Sequence, residues 1–193
     1  MRLAQLLIPG FSALALAACA TDDAADTAAA AGDSGPPAAV STIGPPRLTA
    51  DLRDSEGRVR ARATAETAGD SLRVRVEATG MSPGAYGAHL HTTGRCDPPG
   101  FESAGPHWNP TGQMHGKDNP KGMHKGDLPN LVVGTDGSGS FEYTIPNAGL
   151  SGMLPTSLID GDGAAVVIHA SPDDYRTDPS GKSGARIACG VLG

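Results

Sequence analysis

From Arg47 onward, apolar and polar residues alternate. In DSLRVRVEATG, Leu72, Val74, Val76 and Ala78 share one parity, and Arg73, Arg75 and Glu77 take the other. A period of two sends successive side chains to opposite faces of a strand, so this segment predicts a strand with one buried face. RLTADLRD has the same texture. NLVVGTDGSGSFEYTI reads as two strands around a Gly/Ser/Asp turn, which predicts a hairpin. GAAVVIHAS and GARIACGVLG are further short apolar runs of strand length. No window sustains a helical period over three turns. Short strands with Gly-rich turns predict an all-β sandwich or barrel over residues 47–193.

The first 46 residues follow a different pattern. MRLAQLLIPGFSALALAAC has one early charge, Arg2, then an apolar run too short to span a bilayer, then small residues before Cys19. That is the pattern of a secretory signal peptide over residues 1–18. Its end, LAAC, resembles a bacterial lipoprotein signal, in which the cysteine is acylated and becomes the mature N-terminus. The alternative is an ordinary signal cleaved nearby. Ala20 rather than Asp after the cysteine implies, by the same resemblance, a periplasmic protein anchored to the outer membrane. Residues 19–46 are mostly Ala, Asp, Gly, Ser and Pro. Such a segment has too little to bury to offset its ordering entropy, so it predicts a disordered linker.

Charge and motifs exclude some functions. The formal charge is −6 and no basic stripe is present, so nucleic acid is not an expected partner. The chain has no HExxH helix, which removes a zinc-protease reading.

The informative chemistry is histidine. AHLH places His89 and His91 two apart, so on a strand both imidazoles face one side and can converge on one metal ion. His169 ends an apolar strand, from which a third nitrogen could join. Several imidazoles without a thiolate suit copper or zinc. A second group lies in GPHWNPTGQMHGKDNPKGMHKGDLPN, residues 105–130, which holds His107, His115, His124 and Asp127. A loop this long inside a compact domain is usually functional or disordered. Three imidazoles and one carboxylate are enough for a closed tetrahedral zinc site, whose binding energy would order the loop. Trp108 is then the only large apolar group to help. Two four-ligand sites need one ligand more than the six histidines and Asp127 supply. One imidazole shared through its two distinct ring nitrogens closes the count.

In order and spacing, AHLH, GPHWNPTGQMHG, KGMHKGDLPNL, VVIHASPDD and GARIACGVLG resemble the copper/zinc superoxide dismutases, in particular the secreted bacterial branch. The resemblance runs from Leu48 to Gly193. It implies a flattened, immunoglobulin-like Greek-key β-barrel of about eight antiparallel strands with long metal-binding loops. It implies copper at His89, His91, His107 and His169, and zinc at His107, His115, His124 and Asp127, one of each metal per subunit. His107 would be the shared imidazole and Asp173 a carboxylate linking a copper histidine to a zinc histidine. Arg186 would receive the superoxide anion, so that Arg186 and His107 carry the catalysis. Of the three cysteines, Cys96 and Cys189 would form the family's disulfide, leaving Cys19 for the lipid. A homodimer is compatible with the resemblance and is not specified by it.

This chain departs from the family in two respects. YGAHLH stands where many relatives have HGFHxH, so Tyr86 replaces a histidine and Ala88 a phenylalanine. The segment 171–185 is short, so guidance of the anion would fall to Lys117, Lys121, Lys125 or Lys182. A rival reading, a lipid-anchored copper or zinc carrier without turnover, needs neither Arg186 nor a shared imidazole.

Overall fold

A computed structural model describes residues 46–193 apart from Met153. The predicted signal peptide, Cys19 and, but for Pro46, the linker lie outside the described residues. Nine strands follow: β1 (Arg47–Arg53), β2 (Val59–Ala68), β3 (Ser71–Ala78), β4 (Gly84–Tyr86), β5 (Ala88–His91), β6 (Leu131–Val133), β7 (Gly139–Pro146), β8 (Ala165–His169) and β9 (Arg186–Val191). One 3-10 turn, Glu102–Ala104, interrupts the first long loop. Seven strands form one antiparallel sheet in the order β5-β8-β9-β1-β2-β3-β7, and β4 pairs with β6 in a second ribbon. The chain's last strand returns beside β1, next to the β1-β2-β3 meander, which is a Greek-key order.

Alternation explains the elements. In β3, Leu72, Val74 and Val76 are fully buried, while Arg75 and Glu77 face water. On the wet face the charges pair across strands, as in Arg73 with Glu66 and Arg62 with Asp51. The buried parities of both sheet ends, Leu90 and Ile168 at one and Ile145 at the other, join a single cluster with Leu131 and Val133. The sheet is therefore curled, and the β4-β6 ribbon helps enclose the core.

The hairpin read from NLVVGTDGSGSFEYTI needs correction. Its turn is present, closed by Gly134 N–H on Ser138 O at 2.9 Å. The strands it joins do not pair with each other: β6 pairs with β4, and β7 pairs with β3. The chain crosses from one sheet to the other there, with Gly139 packed on the Val132 carbonyl where no side chain would fit. Periodicity identifies strands, but partners depend on where the core lies.

β8 is buried on both faces. Val166 and Ile168 point into the main core, whereas Ala165 and Val167 face Phe101, Ala104 and Cys189 in a second, smaller cluster. The loop after β5 thus lies on the outer wall of the barrel. The Cys96–Cys189 disulfide pins it there, with Cα atoms 5.7 Å apart. It joins residues 93 apart in sequence, a closure that the chain-entropy estimate values at ~4–5 kcal/mol.

Candidate metal centre

On β5, Leu90 points into the core, so His89 and His91 share the opposite, outer face. On β8, Ile168 points inward and His169 outward, and a register shift between them sets His169 opposite Arg186. The outer wall at β5 and β8 would be wet were it not roofed by the loops 105–130 and 170–185. Backbone hydrogen bonds hold the first loop down: Trp108 N to Leu90 O at 2.8 Å, Leu90 N to Gly126 O at 2.9 Å, and Gly126 N to Trp108 O at 2.8 Å. These bonds pair His91 with His107 and His89 with Asp127 in isolated bridges. A side chain at position 126 would strike the Leu90 carbonyl, so this three-way approach requires glycine. The expectation that Trp108 is the only large apolar group ordering the loop is wrong. Leu128 is also buried in the main core, and backbone pairing to β5 orders the loop as well.

Ring nitrogens of His89, His91, His107 and His169 all lie within 4.8 Å of one another. Each ring has one nitrogen held and one free. His89 Nε2 meets Asp173 Oδ2 at 2.9 Å, His91 Nδ1 meets Gly105 O at 2.8 Å, and His169 Nδ1 meets Gly184 O at 3.1 Å. The nitrogens left, His89 Nδ1, His91 Nε2, His107 Nε2 and His169 Nε2, are buried without a partner. Buried polar atoms are normally satisfied, so four orphans converging on one point fit a metal ion.

The second set meets at Asp127. Oδ1 lies 3.1 Å from His107 Nδ1, 3.0 Å from His115 Nδ1 and 3.1 Å from His124 Nδ1. These spacings approach the edge, ~3.3 Å, of a tetrahedron with zinc bonds of ~2.0 Å. His115 Nδ1 lies at contact distance but off a good hydrogen-bond direction, a placement that suits two ligands of one ion and, without metal, still lets the carboxylate favour a charged ring. Oδ2 of Asp127 accepts from Gly116 N at 2.8 Å and His124 N at 3.0 Å, which fixes the carboxylate. A ring nitrogen of His89 also lies within 4.8 Å of ligand atoms of His107, His115 and Asp127. His124 fits the second set better, because its Nδ1 lies as close to Asp127 as those of His107 and His115. His89 is instead committed to Asp173 and the first set.

Burial prepares the first set for a metal. Burial holds the His89 and His169 imidazoles neutral, pulling their pKa values down to about 3 and about 4. Burial also lowers His91 and His107. Neutral imidazole is the form that binds a metal. Burial also opposes charge on His115, but Asp127 and Asp173 on its two sides overcome that and raise it to about 9. Burial works against ionisation of Asp127 and Asp173 too, yet their imidazole partners keep both well below the usual carboxylate range.

Asp173 bridges the two sets. Oδ2 reaches His89 Nε2 and Oδ1 reaches His115 Nε2, both at 2.9 Å. Arg186 donates from Nη1 to Phe101 O at 2.7 Å and from Nη2 to Gly105 O at 2.8 Å. The Gly105 carbonyl therefore serves Arg186 and His91 together. An open cleft of about 790 Å³ exposes His107, His124, His169 and Arg186, with Trp108 and Met114 in its walls. Lys117, Lys121, Lys125 and Lys182, expected to guide an anion, do not line it. Lys125 is spent on Pro146 O at 2.6 Å, and Lys117 sits over the Tyr175 ring. Tyr86 bonds Ser82 O at 2.9 Å and Ala88 packs in the core, so neither departure from the family reaches the metal ligands.

Residues 55–192 match the family described as copper/zinc superoxide dismutase. The chain belongs to this family. A superoxide dismutase-like protein of Bacillus subtilis is 44% identical over 66% of this chain, and the match spans 65% of that relative's length. A copper/zinc superoxide dismutase of Caulobacter vibrioides is 38% identical, covering 75% of this chain and 84% of the relative. Among solved structures, a superoxide dismutase-like protein from Bacillus subtilis superposes with a TM-score of 0.71 at 39% identity, covering 75% of this chain and 97% of that one. A double mutant of that protein, with a tyrosine and a proline each replaced by histidine, is similar at 41% identity. This family member carries its own six histidines, all of them drawn into the two sets.

Proposed function

We propose that the protein is a superoxide dismutase, converting two superoxide anions and two protons into O2 and hydrogen peroxide. Copper would be held by His89, His91, His107 and His169, and zinc by His107, His115, His124 and Asp127. The observation that carries this reading is His107. Its Nδ1 faces Asp127 while its Nε2 belongs to the four orphaned nitrogens, beside Arg186 in the same cleft. Relatives named copper/zinc superoxide dismutase support the same activity.

Bound copper supplies one-electron redox chemistry between its two oxidation states, and zinc supplies a fixed cation that lowers the pKa of the shared imidazole. The chain's own residues do the rest. Arg186 carries a permanent positive charge at the cleft and holds it in place through two carbonyls, so an entering anion meets an oriented donor fork. His107 Nε2, which opens on the cleft, would be the group able to hold a proton there and pass it to the peroxide product. Asp173 and the Gly105 and Gly184 carbonyls fix the rings of His89, His115, His91 and His169, so those four keep their orientation.

A carrier that only stores metal would need no guanidinium aimed at the cleft, and Arg186 favours the enzyme. The cell-envelope role is part of the same proposal: the LAAC signal supports a lipid anchor at Cys19 on the periplasmic face of the outer membrane. Mass spectrometry of the mature N-terminus checks this, and an unmodified cysteine there excludes the anchor. For the activity, copper and zinc content and superoxide turnover should be measured on one preparation. We expect one of each metal and rapid dismutation. A folded, fully loaded sample that leaves superoxide to decay at its spontaneous rate refutes the enzyme.

A further inference from the structure

The bridging carboxylate at Asp173 is itself held from outside the metal site. Asn130 follows Asp127 by three residues, immediately before β6, and belongs to neither ligand set. Its side-chain amide makes a two-point pair with the backbone of Asp173. Asn130 Oδ1 accepts from Asp173 N at 2.8 Å, and Asn130 Nδ2 donates to Asp173 O at 3.0 Å. The backbone N–H of Asn130 donates to the Tyr175 hydroxyl at 2.8 Å, and Tyr175 N donates to Asp173 Oδ1 at 2.6 Å. Tyr175 adopts a left-handed backbone, φ 59°, and its carbonyl accepts from Asp118 N at 3.0 Å.

We infer that Asn130 is a positioning residue that, together with Tyr175, aims the Asp173 carboxylate so that each oxygen reaches one imidazole of a different ligand set. This rests on the metal-site reading above and extends it by one layer of residues. The physical reason is that Asp173 sits in the irregular loop 170–185, where no strand ladder fixes its backbone. A carboxylate with four lone-pair directions would otherwise choose among several partners. An amide is the side chain that can donate and accept at once, so it matches both backbone groups of Asp173 and defines that residue's position and rotation. The same residue ties the end of the loop carrying Asp127 to the loop carrying Asp173, so the two sets keep a common frame. Removing partners of metal-ligating histidines typically costs ~10–100-fold in metal affinity. Asn130 acts one bond further out, so a smaller effect is expected.

The test compares the full-length protein with Asn130→Ala and Asn130→Asp, the second keeping shape and acceptor but losing the donor. Two readouts are needed: zinc release to a chelator, and NMR hydrogen exchange of the His89 and His115 ring N–H groups, measured on metal-free and zinc-loaded protein. We expect both ring N–H groups to be protected in the native protein. Asn130→Ala should release zinc about 3–10-fold faster and lose that protection, with Asn130→Asp in between. A core variant, Val76→Ala, serves as a control matched for lowered stability and should leave both readouts unchanged. Native-like ring protection in Asn130→Ala, or equal losses in Val76→Ala, overturns the inference, and NMR of metal-free protein decides this independently of metal. Failure of the native protein to bind zinc while both rings stay protected refutes the metal reading instead.

Discussion

Arg186 is the residue on which the functional reading is most exposed. Its guanidinium is part-buried, and burial lowers its pKa. An arginine nevertheless stays charged throughout the working pH range. Because Gly105 O accepts from both Arg186 and His91, removal of the arginine leaves that carbonyl still bonded to the imidazole. Arg186→Ala should therefore keep its copper, with an unchanged copper spectrum, while kcat/KM for superoxide falls on the order of 10²-fold, the scale of a lost anion-stabilising donor. Steady-state turnover at matched copper content checks this. An unchanged rate would mean that the anion is received elsewhere. The six histidines stood out in the sequence through their spacing, and Arg186 through the family resemblance of GARIACGVLG. Asn130 did not, because a lone asparagine ahead of a strand has no spacing signal, and only the folded chain brings it against Asp173.

At the level of elements, the site is made by strands that show their outer face and loops that cover it. Alternation was enough to set His89 and His91 on one side of β5, whereas the continuous apolar run of β8 left the side of His169 open. Alternation could not show which side is the core, since β8 is buried on both. The loop 170–185 contributes a contact that depends on backbone alone. Gly181 has φ 63° and packs on the Asp173 carboxylate and the His115 ring, where a methyl group would overlap the carboxylate. Gly181→Ala combines backbone strain of ~1–3 kcal/mol with displacement of Asp173. We expect a lower melting temperature and faster zinc loss, with the far-UV circular dichroism of the barrel intact. Unchanged zinc retention in this variant, checked by chelator competition, would show that the bridge tolerates movement.

For the whole molecule, the two ligand sets make the metal-free form sensitive to pH on both sides. His89 and His169 have folded pKa values depressed from 6.5 to about 3 and about 4. Their contribution is present above 6.5 and is lost as pH falls toward 4, because the unfolded chain then binds more protons. His115 is raised from 6.5 to about 9, so its contribution is complete below 6.5 and is lost as pH rises through 9. The melting temperature of the metal-free protein should therefore peak near pH 6.5. A zinc-loaded sample should lack the alkaline decline, since the metal replaces the proton on His115. Thermal unfolding from pH 4 to 9 checks this, and a metal-free melting temperature that rises steadily to pH 9 contradicts it.

Seven of the nine described strands and the two groups of candidate ligands could be read from the chain alone, because a period of two and the spacing of histidines are local properties; β2 and β4 could not. The sequence also indicated the need for a shared imidazole, by ligand count alone. The tertiary structure decided the rest. It showed that β6 and β7 part to different sheets, that the loop 105–130 is tied by backbone bonds to Leu90 and by Leu128 as well as Trp108, and that the four lysines lie away from the cleft. These outcomes depend on contacts between residues far apart in the chain, and packing around a common core is what selects them.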